Sequence, residues 1–217
     1  MARRIALLGA ESTGKTQLAT GLAAHLRERG HSAVAVPEVL RTWCTRQGRA
    51  PRPEEQLAIA QEQERLVDSA AADYVIADTT ALMVLVHSGM LFEDSELDRF
   101  ALARQRGYDA TLVTGLDLPW VPDGLHRGAA APREPVDALV RTLLQRAGVA
   151  YQVVYGSGAL RLQGALHALQ SAGVLPDGTA QRADDCGAAR AWTWVCEKCS
   201  DPACEHRLFT KLRETRG

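Results

Sequence analysis

The sequence predicts an α/β fold, a three-layer sandwich with helices on both faces of a five-stranded parallel sheet, plus a small zinc-binding appendage at the C-terminal end. Three observations carry this expectation. Five short apolar runs have the length of buried strands, segments of helical period separate them, and the first run stops at a glycine-rich turn that passes directly into a helical pattern. Strands alternating with helices require right-handed crossovers, which make the sheet parallel and place ligands beyond the carboxyl ends of the strands.

The first strand is Ile5-Ala6-Leu7-Leu8. From Gly14 the spacing turns helical through Leu18, Leu22 and Leu26, and Gly30 supplies the stop. The other strands are expected from Ser32 to Val36, Tyr74 to Ala77, Ala110 to Thr114 and Tyr151 to Tyr155. Between the second and third strands, Pro51 to Glu55 opens a polar helical stretch reaching Ala72, rich in Glu and Gln, whose plainest reading is a solvated surface helix. A helix opening on Pro135 places Val136, Leu139, Val140, Leu143 and Leu144 on one face and ends at Gly148. A last helix carries Leu162, Leu166 and Leu169 before Gly173. The aperiodic segment Gly115 to Glu134 has the length of a lid or of a disordered linker. After Gly173 periodicity ends, so residues 1–173 read as the main domain and 174–217 as a cysteine-rich tail.

Composition bounds the function classes. The 26 acidic and 25 basic residues nearly cancel, which leaves no global field to recruit nucleic acid or an anionic membrane. Apolar runs fall short of a signal-peptide core and of a membrane span, so the cytoplasm is the expected compartment. The oligomeric state stays open.

Gly9-Ala10-Glu11-Ser12-Thr13-Gly14-Lys15-Thr16 fits the phosphate-loop pattern G-x-x-x-x-G-K-[ST], with a strand before it and a helix after it. Gly9 and Gly14 let the backbone curl so that successive N–H groups face phosphate oxygens. The helix starting there adds its positive dipole end. Lys15 is expected to reach the β and γ phosphates of ATP, and the Thr16 hydroxyl to take a position on Mg²⁺. Two carboxylates fall where strands deliver catalytic groups: Glu38, just past Val36-Pro37, and Asp78, closing Tyr74 to Ala77. A strand-end aspartate organises Mg²⁺, and a carboxylate after the second strand can accept the proton of an attacking hydroxyl. Each also has a bland reading as a cap or surface ion pair.

These motifs, with Glu38-Val39-Leu40-Arg41-Thr42-Trp43, Asp78-Thr79 and Pro119-Trp120-Val121-Pro122-Asp123-Gly124-Leu125, resemble the nicotinamide riboside kinase domain of NadR-type NAD regulators and the AAA-type P-loop ATPases and kinases grouped with it. The resemblance spans about residues 5 to 170 and implies a P-loop NTPase sandwich of nucleoside-kinase type. It also implies that Glu38 and Arg41 belong to the riboside site, that Asp78 lies near Mg²⁺ and the reacting hydroxyl, and that the lid follows Trp120. The chain departs from the family at Val39, where an aromatic residue is usual, and at His126, where an arginine is usual. Arg127 or Arg133 is then the candidate lid cation for the transferring phosphoryl group. Trp43 and Trp120 are candidates for stacking on a flat base or pyridinium ring, with core packing as the alternative.

In the tail, Cys196, Cys199, Cys204 and His206 form C-x₂-C-x₄-C-x-H, a donor set suited to a closed structural Zn²⁺ site, with Cys186 as an alternative ligand. Reduced thiols and a redox pair are the competing readings. The expected function is transfer of the ATP γ-phosphoryl to a nucleoside-like small molecule such as nicotinamide riboside. The competing expectation is a nucleotide-dependent regulatory ATPase whose zinc tail binds a partner protein.

Overall fold

A computed structural model describes residues 2–88, 96–121 and 133–176. The described elements run β1 (Arg3–Leu8), α1 (Lys15–Glu28), β2 (Ala33–Val36), α2 (Val39–Gln47), α3 (Pro53–Ser69), β3 (Tyr74–Asp78), α4 (Ala81–His87), α5 (Glu96–Gln105), β4 (Ala110–Thr114), α6 (Arg133–Ala147), β5 (Gln152–Val154) and α7 (Gly158–Ser171). The five strands form one sheet in the order β2-β3-β1-β4-β5, with every neighbouring pair parallel. This is the sandwich the alternation predicts.

The two-residue period of the strands sorts side chains into two cores. Ile5, Leu7, Ile76 and Leu112 face α1 and α7, where Leu18, Leu22, Leu26, Leu166 and Leu169 meet them. Leu8 and Val113 face the opposite layer, packed with Leu82, Leu85, Val140, Leu143 and Leu144 from α4 and α6. Each such fully buried aliphatic side chain stabilises the fold by about 1.5–3 kcal/mol relative to exposure. Val174 and Leu175 are buried in the first of these cores, so the chain stays packed beyond α7.

Several bounds differ from expectation for local reasons. Ser32 stays outside β2 because its N–H and hydroxyl both donate to Asp73, closing the turn before β3. The last strand covers only Gln152–Val154, with Tyr155 exposed. Helix α6 begins two residues before Pro135, which still falls in its first turn, where a missing N–H costs nothing. The larger difference is α3. It keeps a solvated face in Glu54, Gln61, Arg65 and Asp68, but Gln56, Gln63 and Glu64 are buried beside Ile59, Ala60 and Val67. Helix α4 is buried along Ala81 to Val86, an apolar run without the periodicity that marks a helix in sequence.

Candidate active site at the phosphate loop

Parallel pairing brings the ends of β1, β3 and β4 together, with Leu7 beside Asp78 and Leu8 beside Val113. Gly9 leaves β1 at φ +141°, and a Cβ there would run into the hydroxyl and carbonyl oxygens of Thr114. Thr114 is therefore the floor of the turn: its hydroxyl lies 2.6 Å from that of Thr13, which also donates to the Ala10 carbonyl at 2.7 Å. Gly14 caps α1 at φ +78°. That left-handed geometry favours glycine. Ser12, at φ +55°, adopts it without glycine and ties the loop to the segment after β4 by donating to the Val121 carbonyl at 2.6 Å.

Lys15 opens α1, and its ammonium crosses the loop to donate to the carbonyls of Gly9 (2.9 Å) and Ala10 (2.8 Å). Burial pushes its pKa down, while the charges of Glu38, Asp78 and Glu11 push it back up. The three carboxylates predicted on or near the loop thus act electrostatically on one ammonium. Thr16 donates its hydroxyl to Asp78 Oδ2 at 2.5 Å. Asp78 is 4% exposed, and its other carboxylate oxygen, Oδ1, is buried with no hydrogen-bond partner among the described residues. A buried anionic oxygen left unpaired is costly, and together with the adjacent hydroxyl it makes an all-oxygen donor pair suited to a hard divalent cation. Mg²⁺ fits these residues. Glu11 likewise has one buried oxygen without a partner, Oε2, while its Oε1 lies 3.5 Å from His87 Nδ1.

Glu38 is the N-cap of α2, with its side chain 12% exposed and Oε2 3.2 Å from the Arg41 guanidinium. It lines a groove of about 580 Å³ between α2 and α3, together with Val39, Trp43, Arg46, Ile59 and Glu62 among others. Trp43 carries the Arg49 guanidinium 4.9 Å from its ring centroid. Trp120 is half-buried in the segment that Ser12 tethers. Arg133 donates to the carbonyls of Leu118 (2.7 Å) and Leu116 (3.4 Å), so its guanidinium braces the entry to that segment. Arg127 and the tail residues Cys186, Cys196, Cys199, Cys204 and His206 lie outside the described residues. Among the described residues no group of three or more His, Cys, Asp or Glu is placed to hold a metal.

One residue beside the loop was not anticipated. Arg161 of α7 is 3% exposed and donates to the Thr13 carbonyl, to the Gly156 carbonyl (2.6 Å) and to Asp117 Oδ1 (2.6 Å). Asp117 Oδ2 in turn accepts from the Gly156 N–H at 2.6 Å. A single buried guanidinium therefore joins the phosphate loop, the segment after β4 and the turn after β5. The signal available in sequence was an arginine four residues before Ala165, on the face of α7 that Leu169 continues into the core.

The architecture has known counterparts. NadR solved with NR superposes with a TM-score of 0.62 at 17% identity, covering 81% of this chain and 52% of NadR. NadR solved with NAD and AMP-PNP gives 0.59, also at 17% identity, over 81% and 50% of the two chains. The chain thus spans about half the length of NadR. Thymidylate kinase from Ehrlichia chaffeensis gives 0.53 at 13% identity, over 78% of this chain and 98% of that one. At these identities the likeness establishes a shared P-loop kinase-type fold. No curated protein matches the chain. The family model described as an AAA domain matches residues 4–161, from the first strand through the phosphate loop and both strand-end carboxylates to Arg161, and the chain belongs to that family.

Proposed function

We propose that the protein is an ATP-dependent phosphotransferase acting on a small nucleoside-like hydroxyl compound, with nicotinamide riboside as the first acceptor to try. The observation that carries this reading is the convergence of Lys15, the Thr16–Asp78 pair and Glu38 around one phosphate loop. A switch needs only the loop and a metal. A kinase also needs a carboxylate beside an acceptor cavity, and Glu38 lines the α2–α3 groove, whose volume suits a small molecule.

In this reading the loop backbone and Lys15 hold the triphosphate, and Thr16 and Asp78 hold Mg²⁺, which supplies neutralisation of charge on the phosphoryl oxygens. Glu38 accepts the proton of the acceptor hydroxyl as its oxygen bonds to the γ-phosphorus and the bond to the ADP oxygen breaks. Arg41 fixes the carboxylate, and Trp43 gives the groove an aromatic wall. The lid cation is Arg127 or Arg133. Of the two, Arg133 already serves the segment after β4, which favours Arg127. The structural zinc of Cys196, Cys199, Cys204 and His206 is part of the same proposal, with one zinc per chain by elemental analysis as its test.

The test of the kinase reading is Glu38→Gln. General-base assistance is worth about 10²–10⁴-fold, so ADP formation should slow by that factor while MgATP affinity, measured by titration of a fluorescent ATP analogue, changes little. Unchanged ADP formation in Glu38→Gln would remove the kinase reading and leave the regulatory ATPase.

A further inference from the structure

The helix that sequence reads as a solvated surface element holds the starts of the two helices that follow the site carboxylates. On α3, Glu64 accepts from the Ala81 N–H at 2.8 Å, at the start of α4 and three residues after Asp78. Its neighbour Gln63, 1% exposed, does the same for α2 with both ends of one carboxamide. Its Oε1 accepts from the Val39 N–H at 2.9 Å, and its Nε2 donates to the Pro37 carbonyl at 3.3 Å. These two backbone groups flank Glu38.

The N-cap side chain of a helix ordinarily turns back to accept from the first N–H groups. Glu38 occupies that position and makes no such cap bond. Gln63 reaches in from 24 residues away to take the Val39 N–H. Val39 is the first helical residue, whose N–H an N-cap side chain does not ordinarily reach, and the Glu38 carboxylate sits against Arg41 with its charge acting on Lys15. A carboxamide supplies a donor and an acceptor side by side in one plane; a carboxylate could serve only Val39 and an ammonium only Pro37. The orientation of the amide is settled by its partners, since Val39 offers a donor and Pro37, lacking an N–H, an acceptor.

We propose that Gln63 is a positioning residue for the Glu38 base: by clamping the backbone on both sides of Glu38 it fixes the start of α2 and so the direction in which the carboxylate leaves the chain. This rests on the kinase reading above, and the test separates the two. ADP formation is measured in wild type, Glu38→Gln, Gln63→Leu and the double variant, with melting temperatures recorded alongside. A loosened base costs turnover rather than nucleotide binding, so Gln63→Leu should lower kcat about 10- to 100-fold with the MgATP KM within about twofold. In the Glu38→Gln background the same change should cost less than about twofold, because nothing remains to be positioned. Equal losses in both backgrounds, or full kcat in Gln63→Leu, would overturn the clamp. Wild-type turnover in Glu38→Gln would overturn the kinase reading and the clamp together. Should Gln63→Leu not fold, Gln63→Glu takes its place in the cycle; it retains the bond from Val39 and loses the one to Pro37, and full kcat there would also overturn the proposal.

Discussion

Asp78 shows at the scale of one residue how the site trades stability for chemistry. One of its oxygens accepts from Thr16 and the other is buried without a partner, directly before Thr79, a β-branched residue at φ +78°. Left-handed backbone at such a residue costs about 1–3 kcal/mol and is held by its surroundings. Asp78→Asn keeps an acceptor for the Thr16 hydroxyl and removes a buried charge, so the melting temperature should stay the same or rise. Turnover should fall and require a higher Mg²⁺ concentration, as read in a Mg²⁺ titration; full turnover at limiting Mg²⁺ would place the metal role elsewhere. The loop was legible because its curl needs glycine at Gly9 and Gly14, both at positive φ, between a strand and a helix. Arg161 was not, because its partners are two main-chain carbonyls and Asp117, scattered over three loops. Replacing it with Leu strips a charged donor from each, at about 1.5–3 kcal/mol for such a bond. Urea unfolding should show a loss of at least that size together with weaker ATP binding, and a loss confined to stability would make Arg161 a purely structural brace.

At the scale of elements, the groove beside Glu38 depends on the α2–α3 hairpin. Arg49 reaches Glu55 with two bonds of 2.8 and 2.7 Å, and Glu55 also accepts from the Arg52 N–H at 2.7 Å, closing the turn between the helices. The Arg49 bond, with the Arg52 N–H second, holds the Glu55 carboxyl at a pKa of about 2 against an ordinary 4.5. Because the folded value is the lower one, the contribution of this pair is fully present above pH 4.5 and fades as pH falls towards 2. Carbon NMR of the Glu55 carboxyl should report that depressed value in wild type and a return towards the ordinary range in Arg49→Ala. The strands were legible as short apolar runs buried on both faces, and the helices α1, α6 and α7 from their period, since each presents one apolar face to a core. Helix α3 was misread because the polar residues that make it look solvated, Gln63 and Glu64, are buried on backbone groups 24 and 17 positions away. No periodicity encodes a partner at that distance.

At the scale of the whole molecule, the order β2-β3-β1-β4-β5 puts the phosphate loop at the centre of the sheet and the two carboxylate-bearing strand ends on one side of it. The place of the phosphate loop and of the two strand-end carboxylates therefore follows from topology, and the alternation of strands and helices pointed to that sheet. The acceptor did not follow, because the groove beside Glu38 is assembled from side chains of two helices and its shape exists only after they pack. The most direct test is to incubate the full chain with Mg²⁺ and ATP labelled at the γ-phosphorus, first with nicotinamide riboside and then with purine and pyrimidine nucleosides, reading the products by mass. The account predicts label on an acceptor hydroxyl, with the transfer slowed about 10²–10⁴-fold by Glu38→Gln. Label appearing only in inorganic phosphate with every acceptor, at a rate indifferent to Glu38→Gln, would contradict it.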